Sequence, residues 1–219
     1  MGDLLKRSDL PELRADVVYS WGVLHHTGDM WTAVENACEL VKPASEGGGM
    51  LLIALYARET VRDPDYWIRI KQKYLSLDDF DREQMEMDYA WWLLKDEVLK
   101  KQKNPFIMAK EAMLQRGMNF WTDVKDWLGG YPIEFSEASE VIRFVKQRCG
   151  LVPVRVQPST VTEFLFVTDP QRFGEEDWPK RSKLVLDWQE EIQKVEESLL
   201  LKGPFLSLGF RSLTSKCLG

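Results

Sequence analysis

Two adjacent histidines, His25 and His26, are the only imidazoles of the chain, and they stand in the stretch YSWGVLHHTGDMW, directly after a short apolar run. Imidazole titrates near neutrality, so such a pair could serve as an acid/base couple, bind a metal, or belong to a loop that seats a ligand. No cysteine, third histidine or carboxylate cluster accompanies them, which argues against a metal. Acid/base work and loop packing both stay open on the residues alone.

The elements that must position the pair can be read from apolar periodicity. Ala15 to Ser20 (ADVVYS) and Met50 to Leu55 (MLLIAL) are apolar runs without polar alternation, which predicts strands covered on both faces. Between them Asp29 is a candidate N-cap, and Trp31, Val34, Cys38 and Val41 recur at three- and four-residue steps, the stripe of a helix lying on a sheet. Pro43 and the glycines of EGGGM close that helix and turn the chain into the next strand. The result is a β-α-β unit with parallel strands.

From Asp63 to about Trp127 the pattern changes to long charged and aromatic helices, read as a helical insertion or lid. Ser136 to Gly150 predicts another helix, with Ser136 as its cap and an apolar stripe at Ala138, Val141, Ile142 and Val145. Leu151 to Val156 and Glu163 to Thr168 are two further strand candidates, near enough to form an antiparallel pair. Beyond them Val185, Trp188, Ile192, Val195 and Leu199 step by three and four, a C-terminal helix expected to dock on the chain's own body, followed by a loose tail. The fold class is therefore α/β: a domain over residues 1–168, and residues 169–219 as an appendage.

Bulk composition narrows the function. The chain has 219 residues, enough for one domain carrying an insertion. Its 29 basic and 35 acidic residues give a formal net charge of -6, with the signs interspersed, so nothing marks a nucleic-acid surface. Cys38, Cys149 and Cys217 are distant in sequence and odd in number, which suggests neither a disulfide framework nor a zinc knuckle and fits a reducing compartment. No apolar run approaches the roughly 20 residues of a membrane span, and the N-terminus lacks the apolar core of a signal peptide. A cytoplasmic protein with no membrane partner is expected.

The strings SWGVLHHTGDMW and DWLGGYPIEF, together with the helix ending ELVKP and the strand GGMLLIALY, resemble the class I S-adenosylmethionine-dependent methyltransferases over about Gly2 to Thr168. The resemblance implies a Rossmann-like sheet of six parallel strands and a seventh antiparallel one. This chain would supply the fourth to seventh strands, and the activity would be methyl transfer to a small-molecule acceptor. It further implies that Trp21, Gly22 and Val23 line the methionine part of the cofactor, that Asp3 lies near its adenine, and that Asp123, Asp126 and Trp127 meet the substrate. His25 and His26 become the candidates for a catalytic base. A capped helix followed by a tight turn explains Asp123, Asp126 and Trp127 equally well.

The chain departs from the family where cofactor is held. The family's first three strands, its glycine-rich loop and the acidic residue of its second strand should all lie before residue 3. Neither Gly47 to Gly49 nor Gly129 and Gly130 can replace that loop, because a strand, glycines and a helix do not follow in that order. The isolated chain is therefore expected to bind S-adenosylmethionine poorly and to be inactive. The alternative is a noncatalytic interaction protein that meets a protein partner through the exposed sheet edge left at the fourth strand.

Overall fold

The computed structural model describes residues 2–159 and 161–173. The expected helix from Val185 to Leu199, the tail and Cys217 lie outside the described residues. After a short 3-10 turn at Arg7–Asp9, strand β1 (Val17–Trp21) runs into a second 3-10 turn, Leu24–His26, and then helix α1 (Met30–Glu39). Asp29 caps α1 as its sequence position predicts, its carboxylate accepting from the Thr32 amide. The chain bends back through a 3-10 turn at Ala44–Glu46 and enters β2 (Met50–Leu55), which pairs parallel with β1. The predicted β-α-β unit is thus present.

Four helices follow: α2 (Pro64–Ser76), α3 (Asp79–Lys101), α4 (Pro105–Arg116) and α5 (Phe120–Gly129). Each starts on a side-chain cap, from Asp63, Asp78, Asn104 and Asn119 in turn. They occupy the stretch read as an insertion and carry a small core of their own, around Tyr74, Ala90, Val124 and Leu128. Inside it the Tyr74 hydroxyl donates to buried Glu86 at 2.6 Å.

Helix α6 (Ala138–Phe144) passes directly into a π-helical turn, Val145–Cys149. Its cap is Glu137, not Ser136: the Glu137 and Glu140 side chains each accept from the other residue's backbone amide in a capping box. Strands β3 (Val152–Gln157) and β4 (Thr162–Val167) form the predicted antiparallel pair, and a short helix, α7 (Pro170–Phe173), follows. The four strands make one open mixed sheet in the order β1-β2-β4-β3, so β4 lies antiparallel between its two neighbours and β1 stands at an edge.

One face of this sheet carries the main core. Leu51 and Ile53 of β2 stand beside Phe166 and Phe164 of β4, all fully buried, under Met30, Ala33, Val34 and Ala37 of α1 and Ala138 and Val141 of α6. The opposite face corrects the sequence reading of β1. Val17, Tyr19 and Trp21 alternate onto it and are exposed, at 54 %, 63 % and 45 %, and the register places them beside Met50, Leu52 and Ala54. Strand β1 is therefore not covered on both faces: among the described residues no helix packs over this outer row.

Entry into β2 demands a residue without a side chain. A Cβ on Gly49 would lie 2.8 Å from Val41 Cγ1, 2.9 Å from the Ala15 carbonyl oxygen and 3.1 Å from the Lys42 nitrogen, where the segments on either side of α1 approach each other. Two of these three neighbours are backbone, which cannot rotate away. Gly49→Ala is expected to destabilise the fold by roughly 1–3 kcal/mol, read as a lower urea midpoint with an unchanged slope. An unaltered midpoint would show that the strand entry accommodates a methyl group.

Candidate functional site

Because β1 and β2 are parallel, their carboxyl ends share one rim, and ligands of open α/β sheets gather at such rims. Gly22 follows β1 directly; its amide continues the ladder to the Ala54 carbonyl at 3.1 Å, and its φ of 69° lies in the left-handed region that glycine adopts without strain. Tyr56 follows β2. Between these ends runs the segment 131–136, which returns from α5 to the sheet.

Hydrogen bonds tie this segment to the histidine loop. The His26 Nδ1–H donates to the Pro132 carbonyl at 2.8 Å, the Glu134 amide donates to the His25 carbonyl at 2.9 Å, and the Met30 amide donates to Glu134 Oε1 at 2.8 Å. Ser136 then bridges to Ala57, just past β2. Here lies a cavity of about 280 Å³ lined by Gly22, His26, Tyr56, Lys71, Asp126, Trp127, Gly130, Tyr131 and Pro132. Within reach are an imidazole, an ammonium, a carboxylate and three aromatic rings.

The structure separates the two histidines. His25 is fully buried, its ring 4.5 Å from those of both His26 and Tyr56, and neither ring nitrogen has a hydrogen-bond partner among the described residues. Burial, reinforced by the neighbouring His26 and Lys71, pushes its pKa down to about 3, so it is neutral at any ordinary pH and does not line the cavity. His26 does line it. Burial lowers its pKa, partly opposed by the Pro132 carbonyl. A carbonyl can only accept, so Nδ1 carries the proton and the neutral ring keeps a lone pair on Nε2, the form a general base needs.

Lys71, on α2, is the cavity's unforeseen member. It is 1 % exposed, its ammonium lies 4.1 Å from the Trp127 ring centroid, and it donates to the Trp127 carbonyl. Burial pushes its pKa down to about 8, with Asp126 pulling the other way. The Trp127 ring is wedged edge-on between Tyr56 and Trp67, with no partner for its buried indole nitrogen among the described residues.

Of the residues singled out from sequence, Gly22, His26, Asp126 and Trp127 converge on the cavity, whereas Trp21, Val23, His25, Asp123 and Asp3 do not line it. Trp21 is half exposed on the outer sheet face, stacked with Tyr19. Asp3 is occupied locally, accepting from the Leu5 amide and pairing with Lys6. Lys71 and Tyr56 were missed, yet both had a signal. Tyr56 directly follows an apolar strand run, and Lys71 interrupts the apolar row Trp67, Lys71, Tyr74 at helical spacing. Among the described residues no group of three metal-ligating side chains occurs, and no helix is long and apolar enough to cross a membrane. Comparison with protein families, with curated proteins and with solved structures finds no match to this chain.

The buried ammonium gives a pH signature. Unfolded, Lys71 holds its proton up to about pH 10.5; folded, it releases it near pH 8. Between those values the unfolded chain binds more protons, so stability rises with pH. The contribution is on the order of 3 kcal/mol at full extent. Above about pH 10 the Tyr66 and Tyr74 hydroxyls, held up to about 12 chiefly by burial, act in the opposite sense. Urea unfolding at pH 7.5 and pH 10 should therefore show a gain in the wild type that Lys71→Met lacks. Parallel behaviour of the two proteins would remove Lys71 as the titrating group.

Proposed function

We propose that this chain belongs to the class I S-adenosylmethionine-dependent methyltransferases and carries the acceptor side of a Rossmann-like methyltransferase domain. The observation that supports this most is the mixed sheet β1-β2-β4-β3, a parallel pair plus a last strand, β4, that runs antiparallel to both its neighbours, which agrees with a sheet whose seventh strand alone is antiparallel. The cavity's position at the carboxyl rim of β1 and β2 agrees with it.

S-adenosylmethionine, when bound, supplies an already activated methyl group. Gly22 fits the approach of such a ligand, since a Cβ built there would meet no heavy atom of the described residues within 4 Å. The rest of the work falls to this chain's own side chains. Placing an acceptor in line is a matter of orientation, for which Trp127, Tyr56 and Tyr131 offer walls. An acceptor hydroxyl or amine must lose a proton, and His26 Nε2 is the lone pair available to take it. Lys71 would hold an electronegative group of the acceptor.

Among the described residues no strand pairs with the outer edge of β1, where the adenosine half of the cofactor would need a wall, and weak binding is expected. Calorimetry should detect no micromolar affinity for S-adenosylmethionine. Millimolar S-adenosylhomocysteine should shift amide resonances of Gly22 to His26 in a labelled sample. Shifts confined to other regions, or none, would remove the proposal.

A second reading rests on Val17, Tyr19 and Trp21, an exposed apolar row on an edge strand. Such a row suits a noncatalytic protein that meets a protein partner there. A monodisperse monomer by light scattering, with the β1 amides already protected from hydrogen exchange, would rule this reading out.

A further inference from the structure

The cysteines, distant in sequence, do not all stay distant in the fold. Cys38, in the last turns of α1, is 5 % exposed and belongs to the main core; Cys149, the final residue of the π-helical turn, is half-buried and packs against the same core. Both line a second cavity, of about 210 Å³, on the side of the molecule where α1 meets the end of α6. One turn before Cys38, Glu35 accepts from Arg148 Nε at 2.8 Å, so an ion pair pins the two cysteine-bearing turns together.

We propose that Cys38 and Cys149 form an oxidisable dithiol that reacts with a low-molecular-weight disulfide such as glutathione disulfide, Cys149 attacking it first and Cys38 resolving the adduct. The roles follow from the surroundings. Cys149 is half-buried at the cavity and adjoins Arg148 in the chain, whereas Cys38 reaches the same cavity with only 5 % of its surface exposed. The two thiols influence each other in opposite directions: the neighbouring Cys38 thiol is the main influence holding Cys149 below its ordinary range, while the nearness of Cys149, together with burial, pushes Cys38 up. The thiolate is therefore Cys149, and the thiolate is the nucleophile.

The chemistry balances in two exchanges. The Cys149 thiolate attacks one sulfur of glutathione disulfide, forming a mixed disulfide and releasing one glutathione thiolate. Cys38 then gives up its proton and attacks the Cys149 sulfur, which expels the second glutathione. The protein loses two electrons and two protons, and glutathione disulfide becomes two glutathiones. The product is a covalent strap between α1 and the π-helical turn.

The test uses the full chain with Cys217→Ser, so that only this pair reacts, incubated with glutathione disulfide and analysed by intact mass and peptide mapping. The expected product is lighter by two hydrogens and yields a peptide linking Cys38 to Cys149. Adding Cys38→Ser should arrest the reaction at one glutathionyl group on Cys149, and Cys149→Ser should leave the folded chain unmodified. A persistent glutathione adduct when both cysteines are present, an adduct on Cys38, or no reaction at all would each overturn the proposal.

Discussion

The junction between the histidine loop and the segment 132–136 is the contact on which the site depends. Three hydrogen bonds cross it, from His26 to Pro132, from Glu134 to His25 and from Met30 to Glu134, joining residues more than a hundred positions apart. Two of them use backbone groups of the histidine loop or the first turn of α1, so they register the whole loop and not one side chain. The Glu134 carboxylate serves one of the free amides at the start of α1, where the helix dipole favours negative charge. The junction holds the segment that returns from α5 against the histidine loop at the rim of the sheet.

The same junction explains why two neighbouring imidazoles have different characters. The turn Leu24–His26 sends one ring inward between His26 and Tyr56 and the other toward the Pro132 carbonyl. His25 gains apolar contacts at the cost of two unsatisfied nitrogens, which is tolerable only for an uncharged ring. His26 keeps one nitrogen engaged and so has a defined tautomer. Chemical competence here is decided by hydrogen bonding, since the residue type is identical.

Much of the fold could be read from apolar spacing. The parallel pair, the Asp29 cap, the helical character of the insertion and the antiparallel β3–β4 pair are local patterns, and local patterns survive folding when the core agrees with them. The Ser136 cap failed because a neighbouring glutamate could form a reciprocal pair with Glu140. The double burial of β1 failed because an apolar run reports what a strand is suited to contact, not what lies above it. At the site, the histidine loop and the Asp126–Trp127 region were legible as strings. Lys71 showed only as a break in the apolar row between Trp67 and Tyr74, and a lysine there reads as a solvated side chain until the Trp127 ring and carbonyl are placed beside it. The Cys38–Cys149 proximity follows only from tertiary packing of α1 on the π-helical turn.

The insertion begins and ends at nearly the same place: Ala57, just past β2, bridges Ser136, where the chain rejoins the sheet. Everything from α2 to α5 is thus an excursion with clasped ends, and it delivers Lys71, Asp126, Trp127 and Tyr131, while the sheet rim contributes Gly22 and Tyr56. Such an arrangement divides inheritance: the excursion can be lengthened, shortened or exchanged between lineages while strand pairing stays intact. Diversification of what the cavity accepts is thereby uncoupled from preservation of the scaffold.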